Sequence, residues 1–115
     1  MDSTHEIETI GDVTVLRLRD SAVMEFDNLA GTSELCEEVF RECSTEKALI
    51  NFGQIEFWNS ASLGLLASLP KKGARCGRTV SICNLNPKSI WAIQATRLHE
   101  IIDIYHDEEL ALASL

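Results

Sequence analysis

Hydrophobic and polar positions change their period several times along the chain. Residues 5–10 (HEIETI) and the stretch VTVLRLRD alternate like strands, with the Gly11-Asp12 pair between them marking a hairpin turn. In the second strand Leu16 and Leu18 alternate with Arg17 and Arg19, which predicts one buried face and one wet face. Residues 28–43 then switch to a helical period. Leu35, Val39, Phe40 and Cys43 form the apolar stripe, and Glu34, Glu37, Glu38, Arg41 and Glu42 the polar side. Asp27 or Asn28 is placed to cap that helix by accepting from its free N–H groups.

ALINF (48–52) is a short unbroken apolar run, the pattern of a strand covered on both faces. A helix carrying Leu65, Leu66 and Leu69 follows, which Pro70 should stop or kink. TVSICNL predicts a further strand. Asn86-Pro87 is a helix start, and that helix is expected to run to about His99 with Ile90, Trp91, Ala95 and Leu98 as apolar positions. IIDIY predicts the last strand, and Asp107 the cap of a closing helix. Strands alternating with helices after an opening hairpin predict an α/β fold: a mixed, mostly parallel sheet with helices packed against it. At 115 residues the chain suits one domain, 1–115. In such folds sites lie where strands hand over to helices. EFWNSASLGLL (56–66) is such a handover.

Charge narrows the partners. The net charge of −8 is uneven: residues 1–57 hold 13 acids and 4 bases, residues 58–115 hold 5 acids and 6 bases. An acidic half repels phosphate, so nucleic acid is not the expected partner, whereas a basic protein surface is compatible. The four bases of PKKGARCGR fall near a helix end, where cations complement the dipole. No apolar run is long enough to span a bilayer, and the acidic N-terminus does not read as a secretory signal, so the expected compartment is cytoplasmic, with no membrane insertion.

Candidate chemistry is sparse. Cys36, Cys43, Cys76 and Cys83 form no C-x-x-C pair and have no zinc-type histidine spacing, so they read as small core thiols, and no metal or cofactor is expected. His5, His99 and His106 are scattered, the last two as surface residues; there is no G-x-S-x-G elbow, Walker A loop or G-x-G-x-x-G. The chain therefore does not read as an enzyme. What stands out is Asn59–Gly64. Asn59 and Ser60 are both good N-caps, so one reading is purely structural. The other is a serine displayed at a helix N-terminus, within reach of a kinase. A phosphate there adds about −1.5 to −2 charges, which the helix end tolerates and an acidic or tightly desolvated partner does not. Trp58 reads either as core rim or as an exposed anchor.

The run Phe57-Trp58-Asn59-Ser60-Ala61-Ser62-Leu63-Gly64 resembles the serine-bearing helix start of STAS domains, which are found in sulfate transporters and anti-sigma factor antagonists. ALINF is similar to the family's strand that carries an internal aspartate, VSICNLNPKSIWAI to its later strand, asparagine and helix, and DEELAL to its closing helix, so the resemblance covers nearly the whole chain. It implies a partner-switching protein that binds a serine-kinase anti-sigma factor and is released when that kinase phosphorylates the helix-start serine. It also implies that the usual acceptor position is Ala61, that the two family aspartates are Asn51 and Asn59, and that a glycine is Ser62. Alanine cannot accept phosphate. Either Ser60 or Ser62 has taken over as phospho-acceptor, or the switch is lost. In the second case the chain would bind constitutively, as a permanent antagonist or as an unphosphorylated accessory subunit of a membrane transport system or a signalling scaffold. The residues expected to contact the partner are Asp27, Trp58, Asn59, Ser60, Ala61, Ser62 and Leu63.

Overall fold

The computed structural model describes residues 5–20, 25–53, 55 and 59–115. Five strands form one sheet in the order β1-β2-β3-β4-β5: β1 His5–Ile10, β2 Val13–Leu18, β3 Lys47–Asn51, β4 Thr79–Cys83 and β5 Asp103–Tyr105. β1 and β2 pair antiparallel across the Gly11-Asp12 turn. All later pairings are parallel, with Val13 opposite Lys47 and Lys47 opposite Thr79. The helices are α1 Leu29–Glu42, α2 Ser60–Arg75, α3 Pro87–Ala95 and α4 Glu108–Ser114. The expected mixed, mostly parallel α/β sheet is thus present.

Side-chain alternation divides the sheet into two unequal faces. Leu16, Leu18, Ala48, Ile50, Val80 and Ile82 pack with α1 and α2 residues such as Phe40, Leu66 and Leu69, and with Ile93 of α3, in the larger core. Val13, Val15, Leu49 and Cys83 point the other way, under Ala111 of α4. Ala48, Leu49 and Ile50 are therefore all buried, as a strand covered on both sides requires. The second face of β2 is less wet than its sequence suggested, because α4 covers Val13 and Val15 and reaches Arg17.

Three local expectations are corrected. Pro70 does not end its helix: α2 runs through it to Arg75. Proline costs a helix interior about 3 kcal/mol. The helix nevertheless continues for five residues beyond it (71–75), with Gly73 buried against the sheet. That glycine lets α2 lie on the sheet, since a Cβ there would sit 2.3 Å from Val80 Cγ2. Second, α3 stops at Ala95 rather than near His99. Thr96 Oγ1 donates back to the Ala92 carbonyl, and Arg97 turns left-handed at φ 60°. Leu98–Glu100 is a separate 3₁₀ turn. Third, Asn28 stands at the α1 N-cap without a side-chain capping hydrogen bond.

Arg78, in the link between α2 and β4, serves α1. Its guanidinium donates to the Phe40 and Cys43 carbonyls at 2.9 and 2.8 Å, satisfying groups at the α1 C-terminus. Lys72 donates to Ser33 on α1. All four cysteines are free; Cys36 and Cys83 are buried, whereas Cys43 and Cys76 are only half-buried. Burial pushes the Cys36 and Cys83 thiols up to about 12, which keeps them protonated and unreactive.

Candidate functional site

Parallel topology decides what sits beside the α2 start. β3 and β4 are neighbours, so the connections leaving their C-terminal ends open on the same edge of the sheet. Those connections lead into α2 and α3, and the two helix starts flank one cleft. It is lined by Asn59, Ser60 and Leu63 from α2 and by Lys88, Ser89, Trp91 and Ala92 from α3, with a volume of about 340 Å³.

The α2 start is built on a reciprocal cap. Asn59 Oδ1 accepts from the Ser62 N–H at 2.8 Å, and Ser62 Oγ accepts from the Asn59 N–H at 2.7 Å. The Ser62 hydroxyl then donates to the Asn59 carbonyl at 2.8 Å. This is a capping box in which serine takes the place of the usual Glu or Gln. Ser62 is fully buried (0% exposed) with its hydroxyl engaged on both sides, so it is not the solvent-displayed serine that its sequence position suggested. The physical reason is helical phase: position N3 of α2 faces the sheet, along with Leu65, Leu66 and Leu69.

Ser60 is one residue into the same helix and is exposed. Its hydroxyl has no hydrogen-bond partner among the described residues, because Asn59 and Ser62 already do the capping. The box takes up the N–H of Asn59 and of Ser62, and leaves the N–H groups of Ser60 and Ala61 without a partner among the described residues. An open hydroxyl therefore stands on the positive end of a 16-residue helix.

Of the other expected contact residues, Ala61 and Leu63 are half-buried, and Leu63 lines the cleft. Asp27 is exposed in the 3₁₀ turn Phe26–Asn28 ahead of α1 and does not line the cleft. Trp58 lies outside the described residues. His99 and His106 are exposed. Among the described residues no group of three or more His, Cys, Asp and Glu gathers as a metal site would, and no helix is long and apolar enough to cross a membrane.

Sequence reasoning missed the opposite wall of the cleft. Trp91 is 71% exposed, and Ile90 is 37% exposed. The buried positions of α3 are Ser89 and Ile93, four apart on one face. Trp91 lies two residues from each of them, so it projects away from the core. A helical wheel anchored on Ile93 would have placed it outside.

A second polar cluster sits on the α4 side of the sheet. Arg17 donates through Nε and Nη2 to the two Glu108 carboxylate oxygens at 2.8 and 2.7 Å, and through Nη1 to Glu8 at 2.7 Å. Asn51 Nδ2 donates to Glu108 at 3.0 Å, while its Oδ1 accepts from the Gly53 N–H at 2.8 Å. The Arg17 guanidinium holds the Glu108 carboxyl below the usual carboxylate range, and the Asn51 amide lowers it further. Asn51 thereby joins the C-terminal end of β3 to this cluster.

The model of the STAS domain matches residues 4–111. The chain belongs to the STAS domain family. Its fold is similar to that of an anti-sigma-factor antagonist (STAS) domain protein from Planctomyces limnophilus, at 18% identity and a TM-score of 0.79, covering 96% of each chain. It is also similar to the protein TM1081, at 18% identity and a TM-score of 0.76, covering 98% of this chain and 89% of that one. A third likeness is to the anti-sigma factor antagonist SpoIIAA in its unphosphorylated form, at 15% identity and a TM-score of 0.69, covering 93% and 92%. At such identities the likeness is one of fold.

Proposed function

We propose that this STAS chain acts as one unit, residues 1–115, in the cytoplasm as an anti-sigma factor antagonist-like binding protein. Its partner is a serine-kinase anti-sigma factor, engaged at the α2 start and the adjoining α3 wall. The observation that carries this is the division of labour at α2: Asn59 and Ser62 hold the helix end, which leaves the exposed Ser60 hydroxyl with no structural task. Trp91 on the facing wall supplies the kind of exposed aromatic anchor that dominates binding energies. The antagonist SpoIIAA, of like fold, is described by its phosphorylation state, which agrees with a phosphate-controlled role.

Ser60 is the phospho-acceptor in this scheme. Its Oγ attacks the γ-phosphorus of ATP held by the kinase partner. The new O–P bond forms as the bond to the β,γ-bridging oxygen breaks. ADP leaves with that electron pair, and the hydroxyl proton passes to a base of the kinase. The added charge of about −2 then opposes the partner's desolvated surface and releases it. Co-elution with the cognate kinase in the presence of ADP, followed by release and modification of Ser60 on adding ATP, is the expected result. Failure to form a complex with any nucleotide present overturns the proposal.

Ala61 favours a second reading, because the family's usual acceptor position cannot take phosphate here. In that reading the chain is a constitutive accessory subunit of a membrane transport system or a signalling scaffold. Affinity capture from native lysate separates the two. Recovery of permease or scaffold components without an anti-sigma kinase supports the second and removes the first.

A further inference from the structure

Three buried side-chain oxygens lack a hydrogen-bond partner among the described residues: Ser81 Oγ, Asn84 Oδ1 and Ser89 Oγ. A buried hydroxyl without a partner carries a desolvation penalty, so each such group calls for a reason. Of the three, Ser89 alone lines the α2–α3 cleft. It is 3% exposed, at the third position of α3, and belongs to the wall facing Ser60. Lys88, next to it, brings a positive charge to the same rim. On the other wall are the N–H groups of Ser60 and Ala61, without a partner among the described residues, at the positive end of α2. Donors from two helix starts and one cation thus converge on a cleft with an apolar side formed by Leu63, Ala92 and Trp91. Their shared chemistry is that of an anion with several acceptor oxygens.

We propose that the α2–α3 cleft is a phosphate-monoester seat: a phosphoryl group on Ser60 turns into the cleft, where the Ser60 and Ala61 N–H groups and the Ser89 hydroxyl donate to it beside Lys88. This rests on Ser60 being the acceptor. A seated phosphate occupies the Ser60–Ser89 end of the cleft. Phosphorylation therefore takes up donors that a partner would use as well as adding charge, and the partner is displaced from that position. The same donors suit a free phosphate monoester, which is the other source of the same chemistry.

The test uses the full chain with phosphoserine incorporated at position 60, so neither kinase nor partner is needed. The phosphate is followed by ³¹P NMR across pH, and the Ser60, Ala61 and Trp91 N–H signals by ¹⁵N–¹H correlation. The expected result is a titration midpoint at least about half a pH unit below that of the urea-unfolded protein, because bonded donors favour the dianion. The three N–H signals should move with it. Ser89→Ala and Lys88→Gln should each return part of the shift. Ser89→Ala deletes an unpartnered hydroxyl, so the fold should hold; a thermal melt checks this. A midpoint equally low in Ser89→Ala overturns the seat, since the α2 terminus alone then accounts for it. A midpoint at the unfolded value also overturns it. In a second arm, inorganic phosphate is titrated into unmodified protein. Movement of the same signals, abolished by Ser89→Ala, supports the seat and shows that it also accepts free phosphate. Silence there together with a positive first arm supports the covalent source alone. A protein that seats phosphate but captures no kinase keeps this inference and loses the partner reading. One that captures the kinase but shows no phosphate response loses only the seat.

Discussion

Two polar clusters lie on opposite sides of the same sheet, and they are finished to different degrees. In the Arg17–Glu108–Asn51 cluster each member meets another: a bidentate arginine on Glu108, an amide on the same carboxylate, and a backbone N–H closing on Asn51. At the α2–α3 cleft only half of the polar groups are closed. The Asn59–Ser62 box is complete, whereas the Ser60 hydroxyl, the two N–H groups beside it and the Ser89 hydroxyl have no partner among the described residues. A saturated cluster ties α4 to β2 and β3 and offers nothing to a visitor. An unsaturated one beside an exposed tryptophan has bonding capacity left over for another molecule. The difference separates a structural polar site from a receptive one better than residue type does, since both contain asparagine and both lie near strand ends.

The contrast makes mutations on the two sides behave in opposite ways. Glu108→Ala strikes the closed cluster hardest. It leaves Arg17 and Asn51 without their shared acceptor, and should lower stability by about 2–3 kcal/mol in urea unfolding, with no specific loss of partner binding. Trp91→Ala should do the reverse, weakening capture of the partner by about 2 kcal/mol, roughly thirtyfold, at an unchanged melting temperature. A Trp91→Ala protein that melts early while still binding would erase the distinction. Ser62→Ala falls between the two. Losing the buried half of the capping box should cost about 1–2 kcal/mol, visible as a lower urea midpoint. Ser60→Ala, two residues away, should change stability by no more than about 0.5 kcal/mol while abolishing phosphate incorporation.

Acid sharpens the same comparison. The Glu108 carboxyl has a depressed folded pKa, so the folded state holds its proton less tightly than the unfolded chain does. Its contribution is present above the unfolded value of about 4.3 and is lost as pH falls through the lower folded value. Stability measured from pH 6 downward should therefore drop more steeply in the parent protein than in Glu108→Gln.

Much of the architecture was legible along the chain. The hairpin, the continuous apolar ALIN run, the Asn86-Pro87 and Asp107 helix starts and the strand–helix alternation are local signals, set by side-chain period and backbone preference within a few residues. The stop expected at Pro70 did not occur, because the helix continues to Arg75, with Gly73 letting it lie on the sheet. Trp91 was passed over because α3 was read only for its apolar residues, and its buried face was not fixed on Ser89 and Ile93. That Ser60 and Ser89 line one cleft could not be read at all, since the two residues are far apart in the chain.

The sequence alone determined that a hydroxyl-rich helix start follows the third strand, because capping residues and an apolar period announce themselves locally. Which serine faces water, and what faces it, was decided only in three dimensions. Helical phase against the sheet turned Ser62 inward and left Ser60 outside. The parallel adjacency of β3 and β4 then brought the start of α3 alongside, a non-local contact that no stretch of residues encodes by itself.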